Sequence, residues 1–358
     1  MKTVGVAMSG GVDSSAAALI LKQQGYKVFG VSMSLFEPSP HRTSTFGSCC
    51  SLEDIYMAKK AARILGIPHY TLNLKEEFKQ TVIQDFIDNY VSGKTPNPCI
   101  TCNRVIKFDV LLNKIKALGA DFLATGHYIQ CKKVGENYVL SRGRDTGKDQ
   151  SYFLYNLTQK ELKHLLFPVG KYTKQEVRAL AKKHKLPNAD KEESQEICFV
   201  EDGTYPEFIK KNSSRVFKPG IIYDKEGKKI GTHKGFIYYT IGQRKGLELS
   251  VPGPKYVLWI DPDKNVIIAG DREETHSKNL IAADICWVSG RLPKKTANIK
   301  AQIRYRHQPV KAKIKQFQGG ALQVRLTTAQ HAVTPGQAIV FYAGKTLLGG
   351  GTIEAIKN

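Results

Sequence analysis

"VGVAMSGGVDSSAAALIL", residues 4–21, decides how the first half of the chain is read. Val4, Val6 and Met8 alternate as a short buried strand, and from Ser14 onward Ala17, Ile20 and Leu21 recur at helical spacing. The chain must therefore turn sharply over residues 9–13. Gly10 and Gly11 give that turn its backbone freedom and let the main chain approach a ligand closely. Ser14 and Ser15 fall where the first helical N–H groups lack intrahelical partners. Free N–H groups and the positive end of the helix dipole converge there, so the junction is an anion site, with a phosphate as the obvious occupant. No Gly-Lys-Ser/Thr closes the string, which excludes a Walker loop, and the spacing of a dinucleotide fingerprint is absent.

The string resembles the SGGxDS pyrophosphate loop of the ATP pyrophosphatase superfamily. That resemblance implies cleavage of ATP between its α and β phosphates to adenylate a substrate. The segments that follow fit such a domain: "KVFGVSMSLF", "LEDIYMAKKAARILG", "HYTLNL", further helices to Leu118, then "DFLATGHY". Strands alternating with helices predict a parallel sheet covered on both faces, with ligands at the carboxyl ends of the strands. Residues 9–13, Met33 and residues 125–127 would lie on that rim.

At 358 residues the chain has room for two or three domains. No stretch approaches 18 consecutive apolar residues and a strand begins at Thr3, so neither a membrane span nor a targeting segment is expected and a cytoplasmic location is. The formal charge is +22, and half of the excess sits at the end: 13 basic against 2 acidic residues over 277–358, compared with 28 against 19 over 1–200. A concentrated basic excess predicts a polyanion-binding surface, nucleic acid above all.

The amphipathic segment "TKQEVRALAKKHKLP" predicts a helix stopped by Pro187. Beyond it, residues 203–276 are punctuated by Gly and Pro and read as a small central α+β domain. From 277 to 358 alternation returns. Ile299, Ala301, Ile303 and Tyr305 share one face, with Lys300, Gln302, Arg304 and Arg306 opposite; Val310, Ala312 and Ile314 likewise oppose Lys311, Lys313 and Lys315. These alternations predict a small β-barrel with a cationic outer face.

Seven cysteines are too few for a disulfide framework, and in a reducing compartment grouped cysteines point to metal or sulfur chemistry. "GKTPNPCITCNRVIKFDVLL" (93–112) holds Cys99 and Cys102 behind a stiff Pro96/Pro98 approach. The expected helix start near Asn103 puts both thiols at a helix N-terminus, beside Arg104 and Lys107, where the thiolate is favoured. Cys198 lies in "ADKEESQEICFVEDG", a polar loop expected to lead into a strand. Cys49 and Cys50 read as packing residues ahead of a helix, and Cys131 and Cys286 as isolated strand cysteines.

Together, "SGGVDSS", "TPNPC..CN..IKF", "GRDTGKDQSYFLY" (143–155) and "SQEICFV" resemble the tRNA-specific 2-thiouridylases over the whole chain. That family places sulfur at position 2 of the wobble uridine in tRNAs for Lys, Glu and Gln. The resemblance implies a PP-loop ATP pyrophosphatase domain of the adenine nucleotide alpha hydrolase-like type at 1–202, a small central domain at 203–276 and a basic tRNA-binding barrel at 277–358. It implies that Ala7, Met8, Ser9, Gly10, Gly11, Val12, Asp13 and Ser14, with Met33 and Gly126, surround ATP. Cys102 matches the nucleophile and Cys198 the persulfide carrier; His127, Lys148, Asp149, Gln150, Arg304, Tyr305 and Gln337 match tRNA-contacting positions.

Magnesium to neutralise the pyrophosphate, a persulfide donor (a cysteine desulfurase or relay protein) and a monomeric chain follow from the same resemblance. One departure stands out: many members have Asp where this chain has Cys99. Cys99, Cys102 and Cys198 are also the ligand set used by related thiolases that hold a 4Fe-4S cluster, so persulfide chemistry, a cluster and a structural zinc site all stay open. From the residues alone His127 reads equally as an acid–base group or a hydrogen-bonding one, Lys148 and Asp149 as a solvated pair, and Tyr238 and Tyr239 as packing or RNA-stacking residues. TRNA modification without sulfur, amide synthesis and non-catalytic RNA binding are the competing functions; the cysteine triad, the basic barrel and the complete ATP loop respectively argue against them.

Overall fold

The computed structural model describes residues 1–37, 51–191, 197–200, 204–293 and 298–357. Cys49 and Cys50 lie outside the described residues.

Five strands form the first sheet: β1 (Thr3–Ala7), β2 (Lys27–Ser34), β3 (His69–Asn73), β4 (Phe122–Ala124) and β7 (Leu165–Leu166), in the order β3-β2-β1-β4-β7 and all parallel. β1 and β2 are buried on both faces, which is why they read as nearly continuous apolar runs. Helix α1 (Val12–Gln23) packs an Ala-rich surface on the sheet. Helix α2 (Leu52–Leu65) opens on a capping box in which the Ser51 side chain and the Asp54 backbone and carboxylate satisfy each other, and closes on left-handed Gly66. The strand order reverses beside β1, so the carboxyl ends of β1 and β4 border the crevice where such sheets take ligands.

α3 (Lys75–Phe78) and α4 (Gln84–Val91) are joined through a wide π turn, Lys79–Ile83. α5 (Pro98–Thr101) runs without a break through a second π segment, Cys102–Leu111, into α6 (Leu112–Ala117). π segments of this kind concentrate at functional sites. Short α7 (Gln159–Leu162) precedes β7, and α8 (Lys174–Lys183) follows it.

A hairpin, β5 (Ile129–Val134) and β6 (Asn137–Arg142), leaves the parallel sheet altogether. Its two-residue turn at Gly135 and Glu136, between alternating runs, is an ordinary hairpin signal. It pairs through β6 with the last strand of the chain, at Thr346↔Ser141 and Leu347↔Leu140.

The central region carries α9 (Tyr205–Asn212) and a four-stranded sheet of β8 (Gly220–Tyr223), β9 (Lys229–His233), β10 (Tyr256–Asp261) and β11 (Val266–Gly270), ordered β10-β11-β8-β9. α9 rests on α4, with Tyr205 against Tyr90 at 4.7 Å and Phe208 against Phe86 at 6.4 Å between ring centroids.

The remaining strands are β12 (His276–Trp287), β13 (Lys300–Gln302), β14 (Val310–Gln316), β15 (Leu322–His331), β16 (Ala338–Ala343) and β17 (Thr346–Lys357). They pair in the order β12-β15-β14-β13-β16-β17, and β12 pairs again with β17, which closes a six-stranded barrel. The alternation at 299–306 continues as a strand only to Gln302. Gln302 belongs to the outward, polar set yet is buried, because the β5–β6 hairpin covers that side: Arg142 donates to its Oε1 at 2.7 Å.

Candidate active site

The turn after β1 has the geometry of an anion cradle. Ser9 N–H donates to Ser14 Oγ at 3.2 Å, and the Ser14 hydroxyl donates to Gly11 O at 3.0 Å, so one side chain closes the loop on itself. Gly11 stands at the helix cap and no side chain caps α1, which leaves the first helical N–H groups directed at the crevice. Gly10 has φ +75, and a Cβ there would lie 2.3 Å from Asp54 O on α2. Across the crevice, a Cβ on Gly126 would meet Asp13 C and Ser14 N at 2.7 Å. Ala7 ends β1, Met8 and Met33 are buried beside the loop, and the described loop residues form one continuous rim.

Gly10→Ala is therefore expected to cost about 1–3 kcal/mol from left-handed strain alone, with displacement of the loop from α2 added. A thermal melt and an ATP-binding titration check it; an unchanged melting temperature would contradict the packing described.

Four groups around this loop carry no obvious signal in the sequence. Lys174, at the start of α8, is buried and places its ammonium 2.8 and 2.7 Å from the two carboxylate oxygens of Asp13. Tyr128 donates its hydroxyl to Asp13 Oδ1 at 2.7 Å. Buried Asn188 donates to Gly10 O at 3.0 Å and to Ser15 Oγ at 2.8 Å. Lys191 pairs with Asp54, behind Gly10. The amphipathic pattern of 173–187 marked α8, which opens on a capping box at Thr173 and Glu176, but only folding brings Lys174 across to Asp13. Beneath the rim, the Ser32 hydroxyl donates to Met8 O at 2.7 Å and contacts His69 Nε2 at 3.0 Å; burial, with Lys59 adding to it, lowers the His69 pKa to about 4, so that ring is neutral at pH 7.

The cysteine helix begins earlier than its sequence suggests. Asn97 is the cap and Pro98 the first helical residue, where a missing N–H costs nothing. Cys99 therefore lies in the first turn and is exposed, whereas half-buried Cys102 lies inside the helix at the onset of the π segment. The expectation of Cys102 at a free helix start is thus corrected. Cys198 is half-buried in a turn, and α9 rather than a strand follows the 197–200 segment.

Both cysteine segments hang on consecutive residues of α4. Thr101 donates to Asp85 Oδ2 at 3.1 Å, while Phe199 packs on Phe86 with centroids 5.2 Å apart. Cys102 and Cys198 border the same apolar core. This core also reaches the ATP-type loop: Gly126 touches Asp13 and Ser14, and His127, next in sequence, lies 5.9 Å from the ring of Phe108 on the cysteine helix. His127 Nδ1 is 2.8 Å from Thr125 Oγ1. Buried Asn103, beside Cys102, donates to Phe153 O at 3.3 Å and leaves its own Oδ1 without a protein partner.

Among the described residues no three His, Cys, Asp or Glu side chains stand together as a metal site. Burial raises the Cys131 thiol to about 11 and also raises that of Cys286, so both are protonated and unreactive at neutral pH.

The residues matched to RNA contacts fall along the joint between the first domain and the barrel. Asp149 is buried, and its carboxylate accepts from Arg142, the Gly143 N–H, and the Ser151 N–H and hydroxyl at 2.9–3.2 Å. Gln150 Oε1 accepts from Tyr128 N–H at 3.0 Å, and Lys148 shares the same loop. Arg142 also stacks 4.0 Å above the ring of Tyr342, whose hydroxyl is 3.0 Å from Ser151 Oγ. Tyr305 rests half-buried on Phe153, centroids 4.4 Å apart, and Arg304 donates to Ala332 O at 2.9 Å. Gln337 Nε2 donates to Thr95 O at 2.8 Å, beside the cysteine helix. Tyr239 is buried in apolar packing, and the Tyr238 hydroxyl donates to Glu207 at 2.7 Å. No helix among the described residues is long and apolar enough to cross a membrane.

Comparison with known proteins gives the same arrangement a family. Residues 2–202 match the tRNA methyl transferase HUP domain, 207–271 the tRNA methyl transferase PRC-barrel domain and 277–353 the aminomethyltransferase beta-barrel domain. The chain is 50% identical to the tRNA-specific 2-thiouridylase MnmA 1 of Caldanaerobacter subterraneus subsp. tengcongensis, covering 98% of this chain and 97% of that protein. It is 48% identical to the tRNA-specific 2-thiouridylase MnmA of Moorella thermoacetica over 98% and 99% of the two chains. It is 46% identical to that of Geotalea uraniireducens, over 100% and 96%. With near-complete coverage in both directions and the loop, cysteine helix and barrel in one order, this chain belongs to the tRNA-specific 2-thiouridylase family.

Proposed function

We propose that this enzyme performs ATP-dependent 2-thiolation of the wobble uridine in tRNAs for Lys, Glu and Gln, with Cys102 and Cys198 as the sulfur-handling pair. The observation that carries this reading is the continuous path from the anion loop through Gly126 and His127 to the helix bearing Cys102, with the Cys198 segment hung on the same α4.

The chemistry follows from the weakness of a uridine carbonyl as an electrophile. The loop amides around Ser9, Gly10 and Gly11 hold the ATP phosphates while the 2-oxygen attacks the α-phosphorus and pyrophosphate leaves. Magnesium, when bound, neutralises that leaving group; Asp13 would reach it only by giving up Lys174, whose ammonium holds both of its oxygens. The terminal sulfur of a Cys198 persulfide then adds to C2. The Cys102 thiolate attacks Cys198 Sγ; the electrons of the broken S–S bond stay with the sulfur on C2, and AMP departs with the original oxygen. A Cys102–Cys198 disulfide results and needs a two-electron reductant, and an outside persulfide donor must recharge Cys198. The anticodon loop is single-stranded, so presenting the base costs little unstacking.

The barrel fits an RNA partner. Lys313 and Arg325 stand directly opposite each other across β14 and β15, and Lys300 opposes Lys311 across β13 and β14. Like charges so placed repel unless a polyanion lies over them. A monomer acting on tRNA in the cytoplasm is the simplest form of this reading.

The test is anaerobic purification, iron and sulfide analysis, and thiolation of unmodified tRNA with ATP and a persulfide donor on the same sample. Iron-free protein is expected to thiolate, and Cys99→Ser to keep activity within about threefold, since Cys99 lies outside the relay. Activity that tracks bound iron and vanishes in Cys99→Ser would replace the persulfide relay with a cluster.

A further inference from the structure

Residues 91–96 carry the chain from α4 into the cysteine helix, and both of the other domains grip their main chain. Val91 O belongs to the last turn of α4, where carbonyls lack helical partners, and Pro96 and Pro98 deprive the segment of N–H groups for local pairing. Ser92, Gly93 and Lys94 turn their N–H groups back onto carbonyls of α4, whereas Val91 O, Thr95 N–H, Thr95 O and Pro96 O are paired from the other two domains. From the central domain, Arg215 donates to Val91 O at 2.9 Å through one guanidinium nitrogen and to Pro262 O at 2.5 Å through another, its face 5.0 Å above Phe236. Pro262 also packs on Gly93, where an added Cβ would lie 3.1 Å from Pro262 Cδ. From the barrel, Pro335 O accepts from Thr95 N–H at 2.9 Å, and Gln337 Nε2 reaches Thr95 O at 2.8 Å and Pro96 O at 3.4 Å.

We propose that Arg215 is a positioning residue for sulfur transfer: with Gln337 gripping from the barrel side, it locks residues 91–96 and thereby sets where Cys102 is presented. The inference rests on the reading of Cys102 and Cys198 as the sulfur-handling pair. Every one of these hydrogen bonds goes to the backbone, so what they fix is the path of the chain rather than the choice of a side chain. Arg215 holds the end of the very helix whose Asp85 and Phe86 carry the two cysteine segments. A displacement of about 1 Å in a reacting group is enough to cost about 10²-fold in rate.

The full-length Arg215→Lys, Arg215→Ala and Gln337→Ala variants test this in two arms. The first is single-turnover thiolation at saturating tRNA, with the tRNA Kd measured separately. The second, without RNA, is the rate of iodoacetamide labelling of Cys102, read by peptide mass spectrometry. All three variants are expected to lose about ten- to a hundredfold in single-turnover rate. For the two Arg215 variants the tRNA Kd should stay within about twofold, because the bonds removed are internal, and in all three variants Cys102 labelling should change by about threefold or more. Arg215→Lys should resemble Arg215→Ala, since one ammonium cannot span carbonyls in two domains. Rescue by Arg215→Lys together with a weakened Kd in Arg215→Ala would overturn the proposal in favour of a phosphate contact, and wild-type labelling and rate in all three would overturn it outright. Should the wild-type protein itself fail to thiolate, the functional reading falls while the labelling arm still decides the positioning.

Discussion

Cys198→Ser and Cys102→Ser are each expected to abolish 2-thiouridine formation, a loss of about 10³-fold or more, while leaving the adenylation half-reaction intact. A serine oxygen cannot carry a transferable sulfur, nor can it displace one at neutral pH as a thiolate does. Gly126, His127 and Phe108 stand between the anion loop and the cysteine helix. With tRNA, ATP and a persulfide donor, each variant should therefore release a burst of pyrophosphate of about one equivalent per enzyme and then stall, because Cys198→Ser has no sulfur to give the adenylated base and Cys102→Ser cannot free that sulfur from Cys198. Rapid-quench measurement of pyrophosphate beside 2-thiouridine separates the steps. The double variant should be no worse than either single one, since the two residues act as a unit. Substantial thiolation by Cys102→Ser would remove it from the relay, and loss of the burst would mean that the cysteines help to seat the base for adenylation.

The second large effect is expected at Lys174. Its ammonium is held against both oxygens of Asp13 at the mouth of the anion loop, with the Tyr128 hydroxyl completing the set. Lys174→Met leaves that carboxylate facing an incoming triphosphate without its counter-charge. It also deletes a cation from the edge of the anion loop. Pyrophosphate release should fall about 10²- to 10³-fold, the range seen when one preorganised charge-stabilising donor is lost.

Stability should fall less than for a fully buried pair, by about 1–2 kcal/mol, because Asp13 keeps a quarter of its side chain in solvent. The double variant Asp13→Asn with Lys174→Met should recover most of that stability but none of the rate. Such an outcome separates the structural from the chemical contribution of the pair, by the logic of a double-mutant cycle. If Lys174→Met releases pyrophosphate at the wild-type rate, the ion pair is structural only.

Sequence alone determined those features of this protein that local physics dictates. Residues 4–21 had to be strand, tight turn and helix, because apolar spacing changes from two to 3.6 across two glycines. The βα alternation required a parallel sheet, and the alternation from Val310 onward required strands with one apolar face. The order of loop, cysteine motif and basic end segment was enough to suggest the family.

Tertiary structure decided what depends on contacts between residues far apart in the chain. Lys174 and Asn188 lie some 160–180 positions from the loop they brace, and no local pattern marks them. The helix start at Pro98 was hidden because a proline approach and a proline at the first helical position read alike in sequence. Gln302 has the alternation of a solvent-facing residue but is buried, since burial depends on which element covers a face, here the β5–β6 hairpin added to the barrel through β17. Asp149, which reads as half of a solvated pair, is an internal anchor: four donors from Arg142, Gly143 and Ser151 converge on its carboxylate because the chain folds back on itself there, a turn that no periodic pattern announces.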